Sequence, residues 1–105
     1  MNRSRCFCVK EAMTIVNRNI VSKDWATRGF SCDLWIDPPG QRWEDFVHNT
    51  DELVVVLEGE LEFEINGDIS HPEIGREIFI PAGAVHSVRN IGDSTARWLY
   101  GYRVR

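Results

Sequence analysis

The sequence of 105 residues lacks a long apolar run and a disulfide framework. Its longest unbroken apolar stretch, residues 53–57, is far shorter than the roughly 18 residues that a membrane span needs. Its three cysteines, Cys6, Cys8 and Cys32, cannot all pair, and no Cys-x-x-Cys occurs, whereas small secreted domains carry denser, even-numbered frameworks. The N-terminus also lacks the apolar core of a secretory signal. We therefore expect reduced thiols in a cytoplasmic protein with no membrane partner.

Basic residues are scarce in the middle of the chain. The formal net charge is −4, but residues 31–75 carry twelve acidic side chains against Arg42 alone, a local balance of −11. Such a segment repels phosphate backbones, which excludes nucleic-acid binding as the main task. We expect most of these acids to form a solvated face of a sheet.

Helical periodicity is also missing after residue 24, and from residue 30 the pattern is typical of an all-β fold. Short apolar or alternating runs are separated by turn signals every 8–12 residues or so. The unbroken run at residues 53–57 indicates a strand covered on both faces, and residues 61–65 alternate between apolar and acidic. Asn66-Gly67 then predicts a type I′ hairpin turn. The other expected strands are 30–36, 78–80, 85–89 and 96–102.

The chain length argues for a single domain, which we place at residues 13–105. Residues 1–12 are expected to be a loose N-terminal extension. Residues 1–29 as a whole carry the weakest pattern. They either add a strand or two to a sheet edge or become ordered only against a partner chain.

Two of the three histidines lie in informative surroundings. His71 precedes a proline in a turn-like stretch, so we expect an exposed loop residue. His48 comes four residues before Glu52, where the apolar strand begins. His86 follows a Pro-x-Gly turn that links two expected strands.

With these motifs, residues 38–102 resemble the cupin superfamily, in particular its small, single-domain, RmlC-like members. The second cupin motif, Gly-x5-Pro-x-Gly-x2-His-x3-Asn, matches at every defined position across residues 75–90. The first motif matches in part, through Gly40, His48, Glu52 and Gly59. The resemblance implies a double-stranded β-helix, that is, a jelly-roll barrel, and by analogy a homodimer.

The resemblance also implies a metal site inside the barrel, held by two histidines and a glutamate of the first motif and a histidine of the second. The leading histidine of the first motif would lie at position 46, which holds Phe46. His48, Glu52 and His86 remain as ligands. Two imidazoles and a carboxylate suffice for non-haem Fe(II), and three protein ligands are also typical of catalytic zinc.

The sequence leaves two functions open. In the first, His48, Glu52 and His86 hold Fe, Mn, Ni or Zn in an enzyme, dioxygenase- or isomerase-like, that acts on a small organic acid or aromatic molecule. In the second, a metal-free, non-catalytic module or sensor traps a small molecule against Trp43 and Phe46, which flank His48. Phe46 favours the second hypothesis, and the intact remainder of the ligand set favours the first.

Overall fold

The computed structural model of the protein describes residues 16–105. The predictions for Cys6, Cys8 and the extension of residues 1–12 therefore lie outside the described residues. A helix and eight strands make up the described chain: α1 (Arg18–Thr27), β1 (Asp33–Asp37), β2 (Arg42–Phe46), β3 (Glu52–Glu58), β4 (Leu61–Ile65), β5 (Asp68–Ser70), β6 (Glu77–Ile80), β7 (His86–Asn90) and β8 (Ala96–Tyr102).

The strands form two four-stranded antiparallel sheets. The first has the order β1-β8-β3-β6 and the second the order β2-β7-β4-β5. The all-β prediction is confirmed. No hydrogen-bonded ladder joins the two sheets within residues 16–105, so the closed barrel and its jelly-roll winding stay predictions.

Strand β3 is buried on both faces, as its unbroken apolar sequence predicts. Val54 and Val56 face the second sheet and pack in the core between the sheets. Leu53 and Val55 point the other way, into a second cluster that contains Trp25 of α1. The double burial of β3 therefore depends on the helix that covers the outer face of the first sheet.

Before residue 30 we expected edge strands or order that depends on a partner chain, and for residues 18–27 this expectation is wrong, because they form α1. The helix also continues past residue 24, after which the sequence shows no helical periodicity. Asn17 caps the helix, and its side-chain oxygen accepts hydrogen bonds from the backbone N–H groups of Asn19 and Ile20 at 2.9 and 3.2 Å. Val21 and Trp25, four residues apart, lie on the side that meets the sheet. The apolar pattern of this segment is too weak to predict a helix from the sequence. The helix is stabilised instead by burial of this short apolar stripe against the sheet.

Close packing between α1 and the first sheet requires a glycine on β8. An added Cβ at Gly101 would overlap the backbone carbonyl of Ser31 and lie 2.9 Å from Cε3 of Trp25. Gly101 thus lets the chain before β1 and the helix approach the sheet. The indole N–H of Trp25 also donates to Oε1 of Glu77 on β6, at 3.0 Å.

An arginine on a central strand partly neutralises the acidic face of the second sheet. Arg89 on β7 pairs with Glu44, Glu62 and Glu64 at 2.7 to 2.9 Å. Hydrogen bonding to Arg89 lowers the pKa of Glu44 to about 2. The acids of β4 therefore do lie on the outer face, but they form an ion-pair network there.

No helix in residues 16–105 combines the length and the apolar character that crossing a bilayer requires.

The Trp25→Ala variant tests the covering role of α1. Trp25 is fully buried, and removing its indole should lower the free energy of unfolding by about 3–5 kcal/mol. Ile20→Ala on the same helix is the matched control, since Ile20 is 65% exposed and its loss should cost less than about 0.5 kcal/mol. Urea unfolding of both variants measures the difference, and equal costs would contradict the assignment.

Candidate metal centre

Glu52 enters the space between the sheets because it opens β3 on the same face as Val54 and Val56. Its nearest cross-strand neighbours are Ile80 on β6 and Tyr102 on β8. Only 5% of its side chain is exposed, and its buried Oε1 atom has no hydrogen-bond partner within residues 16–105. A buried carboxylate oxygen left unpaired costs free energy, so it points to a group that binds there.

His86 opens β7 and is 3% exposed. Its Nδ1 atom lies 3.1 Å from the carbonyl oxygen of Ala84. Because a carbonyl can only accept, Nδ1 carries a proton, and in the neutral imidazole the lone pair is therefore on Nε2. That lone pair is on the side of Glu52, with Nε2 at 3.6 Å from Oε1. A backbone partner of this kind orients a histidine for metal binding.

His48 lies in the loop between β2 and β3, two residues after β2 ends. The backbone N–H of Gly83 donates to the carbonyl of His48 at 2.8 Å and holds this loop. Its Nε2 atom lies 3.7 Å from Oε1 of Glu52 and 3.3 Å from the hydroxyl of Tyr102. The imidazole is one-third exposed, which places it at the mouth of the pocket.

The three predicted ligands therefore come together, and their donor atoms all lie within 4.8 Å of one another. Two donors bound at about 2.1 Å to one tetrahedral ion are separated by about 3.4 Å. Both nitrogen-to-Oε1 separations are within a few tenths of an ångström of that value. The unpartnered Oε1 between two imidazole nitrogens thus has the chemistry of a divalent-metal site.

Burial dominates the electrostatics of the group. It raises the pKa of Glu52 to about 7. It also lowers the pKa of His48, to which the nearby His86 contributes. Both shifts disfavour charge in the pocket, and a bound cation would stabilise the ionised carboxylate and the neutral imidazole.

The three residues line one end of a cavity of about 290 Å³. Its remaining walls are almost entirely aromatic, with one valine: Trp35, Trp43, Phe46, Val88, Trp98, Tyr100 and Tyr102. Phe46 lies opposite His86 in the β2–β7 register, and its ring centroid is 6.4 Å from those of both His48 and His86. An apolar ring thus lies beside both imidazoles.

A backbone irregularity brings Trp43 and Phe46 to the same side. The register with β7 shifts between these residues, and Asp45 has a φ of 57°. Without the bulge, residues three apart would face opposite sides of the sheet. Both residues predicted for the pocket therefore line it.

A comparison with protein families agrees with this fold. Residues 33–102 match the family model described as the cupin domain. The chain belongs to the cupin family.

Three individual proteins illustrate this cupin relationship. The curated polyketide synthase CurC of Streptomyces cyaneus is 36% identical over 76 residues, which are 71% of this chain and 49% of that protein. The chain thus spans about half the length of this relative. The protein TT1209 of Thermus thermophilus is 34% identical, with a TM-score of 0.66 over 72% of this chain and 73% of that one. An RmlC-like cupin of Shewanella frigidimarina shares the fold at 16% identity, with a TM-score of 0.65 over 73% and 68% of the two chains.

The other cupin motif residues serve the scaffold. Gly59 packs against β8, where an added Cβ would lie 2.8 Å from Cα of Ala96. The buried Asn90 side chain accepts from the N–H of Gly92 and lies 3.0 to 3.3 Å from the carbonyls of residues 37, 38 and 94. His71 is exposed, as predicted, and bonds Glu62 outside the pocket.

Sequence reasoning missed Asp37, the last residue of β1. Its carboxylate is 1% exposed and accepts three indole N–H bonds at 2.9 to 3.0 Å, from Trp35, Trp43 and Trp98. All three indoles line the pocket. Asp37 therefore fixes the tryptophan wall. Its donors lie up to 61 positions away in sequence, so no local pattern could have identified it.

The Asp37→Asn variant tests this role. An asparagine keeps the shape but loses the charge, and its amide N–H would face an indole N–H. We expect the free energy of unfolding to fall by about 2 kcal/mol or more, with a red shift of tryptophan emission. Asp33→Asn, an exposed change at the other end of β1, is the control and should leave both quantities unchanged. Equal behaviour of the two variants would refute the assignment.

The metal-free protein should lose stability as the pH rises, because of Glu52. Its folded pKa of about 7 lies above the unfolded value of about 4.3. The contribution of the protonated carboxyl is therefore complete below about pH 4 and is lost as the pH rises through 7. Between about pH 5 and 8 we expect a loss of about 1–3 kcal/mol that is absent from Glu52→Gln.

Urea unfolding in the presence of a chelator measures this loss in both proteins. His48, whose lowered pKa acts in the opposite direction, is present in both, so the difference between them isolates Glu52. Parallel pH profiles for the wild type and Glu52→Gln would show that the carboxyl is not buried as described.

Proposed function

We propose that this cupin binds a divalent metal ion, Fe, Mn, Ni or Zn, through His48, Glu52 and His86. The observation that carries the proposal is the buried, unpartnered Oε1 of Glu52 between two imidazole nitrogens at 3.6 and 3.7 Å. Two imidazoles and one carboxylate leave coordination positions open for a substrate, as catalytic sites require.

We propose further that the metal-bound protein is an enzyme that acts on a small, flat, largely apolar molecule. The cavity is near the lower end of the roughly 300–1,000 Å³ of small-molecule sites. Its aromatic walls stack against planar groups and exclude water. When bound, the metal supplies Lewis acidity, which polarises a carbonyl or activates an oxygen species. The reaction class is that of a dioxygenase or an isomerase.

The pocket favours an aromatic or otherwise conjugated substrate over an organic acid. Among the described residues, none that line it is a lysine or an arginine. Arg42 pairs with Glu44 and Arg97 with Glu58, both outside the cavity. The similarity to a polyketide synthase adds support, since polyketide-derived molecules are rich in carbonyls and conjugated rings.

A non-catalytic binding protein is the second candidate, and Phe46 is the observation that favours it. The ring beside His86 makes this part of the site apolar where the cupin pattern has a ligand nitrogen. In that case the imidazoles of His48 and His86 hydrogen-bond a small molecule directly.

We also propose that the protein is a cytoplasmic homodimer and that its domain comprises residues 13–105.

Metal analysis of the purified protein separates the two candidates. We expect about one equivalent of a divalent ion, whose removal by a chelator lowers the melting temperature. His86→Ala should lose the ion, because one of three donors is gone. His71→Ala is the matched control: this histidine also contacts a glutamate, but outside the pocket, and the ion should remain.

Two results would decide against the enzyme. One is wild-type protein that holds no metal and gains no thermal stability from Fe(II), Mn(II), Ni(II) or Zn(II). The other is an ion that remains in His86→Ala. The first result would favour the binding protein, and the second would show that the ion is bound at another site.

A further inference from the structure

The proposed site has one protein donor fewer than the cupin pattern, because Phe46 cannot bind a metal. Another oxygen lies beside His48. The hydroxyl of Tyr102 is 3.3 Å from Nε2 of His48, and the two rings meet edge to face, with centroids 5.0 Å apart.

The fold delivers Tyr102 to this place through strand register. Tyr102 on β8 lies directly opposite Glu52 on β3, so the two side chains project from the same face of the sheet. Leu99 and Gly101 project from the other face of β8, which packs against α1. Tyr102 therefore points towards the ligand group, together with Glu52.

The distance between the tyrosine oxygen and Nε2 of His48 is compatible with two donors that share one ion. A tetrahedral ion with bonds of about 2.1 Å separates its donors by about 3.4 Å. The pair Tyr102 Oη and His48 Nε2, at 3.3 Å, is closer to this value than the two pairs that involve Glu52.

Charge in the metal-free pocket opposes ionisation of this phenol: burial and the nearby Glu52 raise the pKa of Tyr102 to about 12, so only a bound cation would stabilise its phenolate. Among the described residues that line the cavity, Glu52 supplies the only anionic side chain, so a divalent ion held by the three residues alone leaves a net positive charge in an apolar space. A second anionic oxygen would neutralise the ion, and buried charges are stable only when compensated.

We propose that Tyr102 is a fourth metal ligand, in place of the histidine that Phe46 replaces. The inference rests on the proposed metal site. On binding, the O–H bond of the phenol breaks, the proton leaves to water, and the phenolate oxygen bonds the ion. No electron is transferred in this step.

The test uses a spectroscopic signature that a hydrogen bond does not produce. Iron(III) bound to a phenolate gives an intense charge-transfer band in the visible range. The full chain is loaded with one equivalent of iron(III), supplied as its nitrilotriacetate complex, and bound iron is measured after gel filtration. We expect a coloured wild-type protein and a colourless Tyr102→Phe variant that still contains iron.

Tyr100→Phe is the matched control, since Tyr100 lines the same cavity two residues earlier on β8. It should keep the band. Zinc affinity alone would not suffice, because the loss of a mere hydrogen-bond partner of a ligand already weakens metal binding by about 10–100-fold.

Each other outcome overturns the proposal in a distinguishable way. Iron bound to the wild type without the band shows that Tyr102 is not a ligand, while the three-residue site stands. A band that persists in Tyr102→Phe, or disappears in Tyr100→Phe alone, assigns the phenolate to another tyrosine. A wild-type protein that binds no iron(III) and no zinc overturns the metal site itself.

Discussion

The burial of the Glu52 carboxyl is the constraint on which the rest of the structure depends. Its Oε1 atom has no hydrogen-bond partner among the described residues, and the next five residues of β3 are apolar. A buried carboxylate oxygen without a partner raises the free energy of the folded chain. Packing elsewhere has to offset this cost. The raised pKa of Glu52 expresses the same penalty, and a bound cation would remove it.

Two layers of packing supply that offset, and both involve β3. Val54 and Val56 fill the space between the sheets, while Leu53 and Val55 need the cover that α1 provides through Trp25. The helix therefore contributes to the site although it lies on the far side of the sheet. It stabilises the strand that holds Glu52 and, through Leu99 and Gly101, the strand that carries Tyr102.

The aromatic wall shows how a small domain maintains a cavity. A chain of this size has little core to spare, and mobile rings would collapse into the empty space. Asp37 prevents this collapse by binding three indole N–H groups with one carboxylate. Under the proposed function, the same wall would restrict the ligand, because aromatic faces favour a flat apolar molecule and, among the described residues, no lysine or arginine lines the pocket.

The sequence by itself determined the all-β class, the double burial of β3, the Asn66-Gly67 turn, the cupin family and the group of His48, Glu52 and His86. Each of these depends on side-chain alternation, turn chemistry or motif spacing, which are local properties. The positive φ values of Asn66 and Gly67 confirm the turn, and the family match confirms the cupin prediction. The donor atoms of the three residues lie close together, as the motif spacing predicts. Only the tertiary structure decided the helix at residues 18–27, the bulge that turns Phe46 beside His86, the three indoles on Asp37, and the place of Tyr102 next to His48. These features depend on contacts between residues up to 61 positions apart. Strand register and burial determine which residues meet, and neither can be read from a single sequence.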